Sequence, residues 1–189
     1  MSRIGKKPIE VPAGIKVSVS GNTIELQGAK GKDKVTFHPK VKVSWAESEK
    51  AIKVTLADGV STDDADAKAQ WGTTRALIRN MIDGVSKGYE KTMQVVGTGW
   101  SAAVTGKNLK LTVGFANSII MPIPEGLTVV VEKQVGELTP IKVSGISRQL
   151  VGQFASAMRA KRKPEPYNGK GIKYAEETIK RKQGKQFGA

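Results

Sequence analysis

The amino-acid sequence predicts an α+β fold made by tandem duplication of two similar small domains, each with antiparallel or mixed β-sheets packed around one helix. Similar segments recur in the same order in the two halves of the 189-residue chain, which indicates an internal repeat. Each half combines short segments bounded by glycine, typical of strands, with one apolar stripe of helical period. The hydrophobic share of 39% is large enough to form a buried core.

The strand segments recur in pairs. Residues 19–26, VSGNTIEL, align with residues 104–111, VTGKNLKL, and each has a strand, a turn with glycine and a second strand. Further along, residues 52–54 align with residues 141–143. The offset between the two copies changes along the chain, so we infer that they differ in loop length and not in the order of their elements.

One helix is predicted in each copy. The first apolar stripe runs from Trp71 to Ile82, and the second runs from Ile146 through Leu150 to Met158. Proline cannot continue a helix, so the second helix must end before residue 164. Carboxylates favour the amino end of the first helix through its dipole, and three stand there: Asp63, Asp64 and Asp66. Because residues 72–79 align with residues 152–159, we expect residues 78 and 158 to be buried at equivalent points.

The predicted organisation has four parts: a basic amino-terminal tail at 1–8, a first domain at 9–85, a second domain at 86–160 and a basic carboxyl-terminal extension at 161–189. We expect the body to fold without either end. Within the extension, a short helix is expected after Tyr174, because acidic residues at 176 and 177 stand four positions before basic residues at 180 and 181.

The charge of the chain is concentrated at its ends. The formal net charge is +14 and the pI is near 10, which favours nucleic acid or an anionic membrane surface as the partner. Residues 159–189 contain ten basic and three acidic side chains, and residues 1–8 contain three basic side chains and no acidic one. A nearly neutral body with two basic ends is typical of proteins whose ends enter folded RNA.

Several other function classes lack the residues that they need. The sequence has no cysteine, so we expect no disulfide framework, zinc finger or thiol nucleophile. No apolar run approaches the roughly 18 residues of a membrane span, and the expected compartment is the cytosol. The glycines at 97 and 99 imitate a dinucleotide loop, but a strand and not a helix follows them in the repeat. We therefore expect no enzymatic activity, no cofactor, no metal and no small-molecule substrate.

The segment 159–174 concentrates cations and turn residues. It contains six basic side chains against the single carboxylate of Glu165. Pro164 and Pro166 favour extended backbone, and Gly169 and Gly171 permit turns and a close approach to a partner. Because the segment has little apolar surface to bury, we expect its order to depend on docking to a polyanion.

This segment also carries a family resemblance. Residues 164–174, PEPYNGKGIKY, resemble the signature of the sixth protein of the bacterial large ribosomal subunit, and residues 2–9, SRIGKKPI, resemble the amino terminus of that family. Asn168 stands where the family pattern is usually basic, so one cation is missing here. The resemblance covers essentially the whole chain and implies a tandem of two α+β domains.

The resemblance further implies a structural, non-catalytic role in the large subunit, with rRNA and neighbouring ribosomal proteins as partners. It implies a position near the stalk base and the rRNA loop that stimulates translational GTPases, and hence proximity to elongation factors. The alternative function is that of a free-standing RNA chaperone or nucleic-acid-binding protein, which would bind many RNAs with similar affinity.

The predicted contacts combine cations, which neutralise phosphates, with two aromatic rings. The two tyrosines either stack on unpaired bases or, in the case of Tyr167, anchor the loop to its own domain. The predicted rRNA-binding residues are Arg3, Lys6, Lys7, Arg159, Lys161, Arg162, Lys163, Tyr167, Lys170, Lys173, Tyr174, Lys180, Arg181 and Lys182. The tryptophans, including Trp100, are predicted to pack in the core.

Overall fold

A computed structural model describes residues 5–62 and 64–184 of the chain. Its contacts divide the chain into two units. Unit 1 consists of Met1–Tyr89 and Ile146–Arg148, and unit 2 consists of Glu90–Gly145 and Gln149–Ala189. Each unit contains one long helix and several short antiparallel strands, as the α+β prediction requires.

Unit 1 has two three-stranded antiparallel sheets, with the orders β2-β3-β4 and β1-β6-β5. Alternate residues of the central strand β3, such as Ile24 and Leu26, are fully buried, because one face of the sheet covers the core. The elements are β1 (Ile9–Glu10), β2 (Lys16–Ser20), β3 (Thr23–Gly28), β4 (Gly31–Thr36), β5 (Val41–Ala46), β6 (Ala51–Leu56) and α1 (Ala65–Ser86).

Helix α1 is capped by Asp64, whose carboxylate accepts hydrogen bonds from the backbone N–H groups of Asp66, at 2.9 Å, and Ala67. The Lys40 ammonium donates to the same carboxylate at 3.0 Å, and this hydrogen bond lowers the pKa of Asp64. The buried face of the helix carries Trp71, whose indole N–H donates to a backbone carbonyl of β6 at 2.7 Å. The predicted acidic start is confirmed at residues 64 and 66, whereas Asp63 lies outside the described residues.

Unit 2 has one sheet with the order β8-β9-β10 and a second with the order β11-β12-β7-β13. Val95, Ile141 and Val143 supply much of its buried strand surface. The elements are β7 (Tyr89–Val96), β8 (Ser101–Thr105), β9 (Asn108–Thr112), β10 (Ile119–Pro122), β11 (Leu127–Val131), β12 (Leu138–Gly145), α2 (Arg148–Lys161) and β13 (Gly171–Tyr174).

The two units repeat one plan. The sheet β2-β3-β4 corresponds to β8-β9-β10, and the order β5-β6-β1 corresponds to β11-β12-β7. Ile78 in α1 and Met158 in α2 are both fully buried, as the repeat predicts. Within the described residues, only β13 lacks a counterpart in unit 1. The tandem duplication is therefore confirmed, with one added strand in unit 2.

The first turn of the second helix differs from the prediction. Helix α2 begins at Arg148, and its buried residues are Val151, Phe154, Ala155 and Met158. Ile146, which was assigned to the apolar stripe, precedes the helix and packs against the core of unit 1. The spacing of 146 and 150 imitates a helical period, but Ile146 is half-buried and lies before the first residue of the helix.

Candidate nucleic-acid interface

The backbone between α2 and β13 forms an ordered loop, residues 162–170. The N–H of Glu165 donates to the carbonyl of Lys170 at 2.9 Å, and the N–H of Ile172 donates to the carbonyl of Arg162 at 2.8 Å. Strand β13 then pairs antiparallel with β7, and Ile172 is fully buried. The expectation that this segment needs a polyanion for its order is therefore wrong, since main-chain hydrogen bonds and one buried isoleucine hold it.

The path of the backbone requires glycine at two positions, one near the end of the loop and one at the start of β13. Gly171 has a φ of 152°, and a Cβ atom there would lie 2.3 Å from the Cα of Pro164. Gly169 has a φ of 75°, in the left-handed region that favours glycine. A side chain at 171 would separate the two arms of the loop. The glycines thus permit the turns that the sequence predicted, whereas the close approach to a partner stays a prediction.

The segment after β13 folds back on the same loop without forming a helix. Ala175 donates its N–H to Thr92 at 2.9 Å, and Lys182 donates its N–H to Pro166 at 2.9 Å. The helix predicted after Tyr174 is wrong, because residues 175–184 form no helix and Glu177 does not form the predicted pair with residue 181. Its carboxylate pairs with a residue of α2 instead.

That residue is Arg159, whose guanidinium donates two hydrogen bonds to the Glu177 carboxylate. The distance from Nε to Oε2 in one of them is 2.8 Å. The hydrogen bonds from the guanidinium lower the pKa of Glu177, and the pairing raises the pKa of Arg159. The Glu177 carboxylate also accepts from the N–H of Tyr174 at 3.2 Å. Arg159 was predicted to bind rRNA, but this bidentate pair gives it a partner inside unit 2.

A basic cleft of about 380 Å³ opens beside the loop. Two aromatic residues form one part of its wall, and cations from the end of α2 and from the loop form most of the rest. Its lining residues are Trp100, Phe115, Lys161, Arg162, Lys163, Glu165 and Lys170. Four cations and one carboxylate make this cleft strongly positive, which suits a phosphate-bearing ligand.

Arg162 is fixed inside this cleft by the two rings. Its Cζ atom lies 4.7 Å from the centroid of Phe115 and 5.7 Å from the centroid of Trp100, within the range of cation–π attraction. Trp100 in turn lies against Gly97, where a Cβ atom would be 2.4 Å from the indole. The guanidinium is therefore held in place by an aromatic support that is itself packed on glycine.

The predicted aromatic residues lie elsewhere. Tyr167 is 54% exposed on the loop, Tyr174 is half-buried on β13, and neither ring lines the cleft. The sequence analysis missed Phe115. It also predicted that Trp100 packs in the core, whereas Trp100 is only half-buried in the structure. One feature of the sequence could have indicated an exposed ring at residue 115. It is an aromatic residue directly after Gly114, in a short polar stretch between two strands.

The other predicted cations are distributed along the surface of both units. In unit 2, Lys161, Lys163, Lys180, Arg181 and Lys182 are exposed, whereas Lys170 and Lys173 are half-buried. Among residues 5–62 and 64–184, no ion pair involves Lys161, Lys163 or Lys170. These three lysines are therefore free to meet an external anion.

In unit 1 the amino-terminal segment lies on α1. Gly5 is buried against the Trp71 ring, and the Arg75 guanidinium donates to the carbonyl of Lys7 at 2.8 Å. The side chains of Lys6 and Lys7 are exposed. Arg3, a further predicted contact, lies outside the described residues.

A larger hollow of about 550 Å³ lies over the sheet β2-β3-β4. Its charged lining is nearly balanced, with Lys16, Lys32 and Lys34 against Glu25 and Asp33, and no aromatic residue lines it. The described part of the chain contains no group of three or more residues suited to hold a metal ion. No helix among the described residues is long and apolar enough to span a membrane. The cleft of unit 2 is thus the stronger candidate site.

Fold and site together define a class: a protein of two repeated α+β units that carries a cationic, aromatic-lined surface. The comparison with known families agrees with this class. The family model described as Ribosomal protein L6 matches residues 11–88 and 96–175, one match for each repeat. The chain belongs to the ribosomal protein L6 family and is a structural, non-enzymatic component of the ribosome.

Curated relatives match over nearly their whole length. The large ribosomal subunit protein uL6 of Methylocella silvestris is 44% identical over 191 residues, covering 98% of this chain and 99% of its own. The protein of that name in Methylorubrum populi is 45% identical over 186 residues, with the same coverage. The uL6 protein of Carboxydothermus hydrogenoformans is 45% identical over 188 residues, covering all of this chain and 98% of its own.

Proposed function

We propose that this ribosomal protein is a constituent of the large subunit and binds large-subunit rRNA through the cleft of unit 2. The observation that carries the proposal is the set of lysines at 161, 163 and 170, which form no ion pair with the described residues and surround an aromatic-lined cleft. The names of the relatives support the assignment to the large subunit.

The binding mechanism is charge neutralisation on a preformed surface. Each lysine that meets a phosphate releases condensed counterions, which favours association and makes it sensitive to salt. The loop 162–170 is already held by its own main-chain hydrogen bonds, so binding orders little additional backbone. A rigid basic loop therefore selects RNA by shape as well as by charge.

Additional contacts extend this surface within each unit. The exposed cations Lys180, Arg181 and Lys182 lie in a segment that is hydrogen-bonded back to the loop through the N–H of Lys182, and we assign them to the same RNA face. Lys173 and Tyr174 on β13, together with Tyr167, complete the predicted set. Lys6 and Lys7 form a separate basic contact of unit 1. Arg159 serves chiefly to hold Glu177 and thereby the segment that follows β13.

We extend the proposal to the position of the protein in the ribosome. The resemblance of the motif at 164–174 supports a place near the stalk base and the rRNA loop that stimulates translational GTPases. Neighbouring ribosomal proteins and translation elongation factors would then be close. Site-directed crosslinking from exposed positions in both units of ribosome-bound protein tests this placement, and crosslinks to distant rRNA alone would contradict it.

Salt-dependent binding of full-length large-subunit rRNA tests the function. The triple variant K161Q/K163Q/K170Q should bind more weakly, and the slope of log affinity against log salt should fall by roughly 0.7–0.9 for each lost contact. The matched control K107Q/K110Q/K133Q removes the same charge from exposed positions elsewhere in unit 2. Equal slopes in the two variants would contradict binding through the cleft.

A second experiment separates the ribosomal role from that of a free-standing RNA chaperone. The native protein should sediment one-to-one with large subunits after a high-salt wash. A chaperone would instead be washed away and would bind unrelated RNAs as tightly as rRNA. The family match favours the ribosomal outcome.

A further inference from the structure

The aromatic part of the cleft has no role in simple charge neutralisation. Phe115 is 41% exposed, although the neighbouring apolar residue at 113 is fully buried. It lies in the segment between β9 and β10, outside any strand. Exposed aromatic surface among cations is typical of sites that stack nucleobases.

Phe115 and Arg162 together form a flat, polarised support. The guanidinium lies over the ring, with 4.7 Å between Cζ and the ring centroid, and Trp100 limits its movement from the other part of the wall. Both aromatic rings and arginine planes are surfaces on which unstacked RNA bases lie. The pair thus offers a stacking surface whose orientation is set before RNA arrives.

The remaining lining residues match the other parts of a nucleotide. The exposed lysines at 161 and 163 and the half-buried Lys170 supply charge for a phosphate. Glu165 adds one hydrogen-bond acceptor, which suits the 2′-hydroxyl group that distinguishes RNA from DNA. The cleft volume of about 380 Å³ falls in the range of sites for small molecules. A stacked double helix does not enter such a cleft, whereas a single extruded nucleotide does.

We propose that the cleft binds one unpaired nucleotide of the rRNA, with its base stacked on the Phe115–Arg162 pair and its phosphate held by the surrounding lysines. This inference rests on the proposed rRNA binding and adds a subsite to it. It assigns base stacking to residues 115 and 162, in place of the tyrosines at 167 and 174.

Substitutions at Phe115 test the subsite in the full-length chain. Phe115→Leu keeps apolar volume but removes the ring, and it should lower affinity for full-length large-subunit rRNA by roughly 5- to 150-fold, the effect of losing one base stack. Phe115→Tyr keeps the ring and should bind like the wild type. The salt slope should stay unchanged in both, because neither substitution removes a charge. Thermal unfolding of the free variants checks that each folds.

Ultraviolet crosslinking supplies a readout that does not depend on affinity. The wild-type complex should yield a nucleotide attached to a peptide that contains residue 115 or 100, and probing should show that nucleotide to be unpaired in free rRNA. The crosslink should be lost in Phe115→Leu and kept in Phe115→Tyr.

The outcomes separate the subsite from the function on which it rests. If the leucine variant binds and crosslinks like the wild type while K161Q/K163Q/K170Q lowers the salt slope, rRNA binding stands and the nucleotide site is overturned. If neither variant changes binding, both proposals fail. If the leucine variant binds rRNA normally but is lost from assembled large subunits, Phe115 contacts a protein neighbour, which also overturns the inference.

Discussion

The two units share strand order and helix placement, yet they differ at one sheet edge. In unit 1 the strand β1, Ile9–Glu10, ends the order β5-β6-β1. In unit 2 the equivalent strand β7 is eight residues long and pairs on its far side with β13. The added strand holds the basic loop between itself and α2. A duplicated scaffold thus acquires an ordered basic loop by lengthening one edge strand and pairing a segment against it.

The two helices also differ in the charged residues at their ends. Helix α1 is capped by Asp64 and has Asp66 in its first turn. Both carboxylates pair with Lys40 within unit 1. Helix α2 has no acidic residue in its first turn and ends with Arg159 and Lys161. Cations at the carboxyl end of a helix are favoured by its dipole. Within the described residues, Arg159 is paired with Glu177, but Lys161 at the end of α2 has no ion pair and lies beside the loop. In the first repeat, the acidic residues at the start of the helix are paired with Lys40.

Removal of β13 should produce the largest effect. A chain truncated after residue 158 loses the buried Ile172, the pairing of β13 with β7 and the Arg159–Glu177 pair, so unit 2 should lose its cooperative unfolding. The sequence led us to expect that the body folds without either end. For the carboxyl end we now expect the opposite, because β13 is part of the sheet of unit 2. In variants that keep a single tryptophan, the fluorescence of Trp100 reports unit 2, and that of Trp45 or Trp71 reports unit 1. A truncated chain whose Trp100 transition is unchanged would contradict this account.

The substitution Ile172→Ala addresses the same edge more gently. It should lower the free energy of unfolding of unit 2 by about 2–5 kcal/mol, the usual effect of truncating a fully buried isoleucine. Denaturant titration with the Trp100 signal measures the change. Ile120→Ala is the control, since residue 120 is 64% exposed and should alter stability by about 0.5 kcal/mol or less. Similar losses in the two variants would remove β13 from the stabilising core.

The ion pair that holds the carboxyl-terminal segment gives a pH-dependent prediction. Because the guanidinium lowers the folded pKa of Glu177 below its ordinary value of 4.5, the stabilisation is present above about that pH. It is lost as pH falls through the folded pKa. Glu177→Gln should cost about 1–3 kcal/mol at neutral pH and should flatten the acid side of the stability profile. An unchanged profile would show that the pair contributes no stability.

The smallest effect is expected for the ion pair at the start of α1, which can be compared with the Arg159–Glu177 pair at the end of α2. Asp64→Asn keeps an oxygen for the cap of α1 but removes the ion pair with Lys40. That pair is only half-buried, and we expect it to contribute little stability. Its unfolding midpoint, followed by the Trp71 signal, should fall less than that of the glutamine variant in unit 2. A larger fall would mean that charge pairing matters more in the first repeat than in the second.

The sequence alone determined the features that are encoded by neighbours along the chain. The repeat of 19–26 at 104–111, the two helical stripes and the burial of Ile78 and Met158 follow from local periodicity and internal similarity. The basic ends and the motif at 164–174 likewise identified the family, because composition and short motifs need no knowledge of folding. Lysines 161, 163 and 170 were found by charge alone.

Tertiary structure decided how the candidate site is assembled. Phe115 and Trp100 meet Arg162 only after the segments around β8, β9 and α2 have packed, and no local pattern specifies that contact. Arg159 pairs with Glu177 and does not line the cleft. This contact forms because the pairing of β13 with β7 brings Glu177 close to α2. Strand pairing between distant segments is set by burial and register over the whole unit. For that reason the positions of the charged residues could be read from the sequence. Which of them face outward, and which aromatic rings lie beside them, is determined by the tertiary structure.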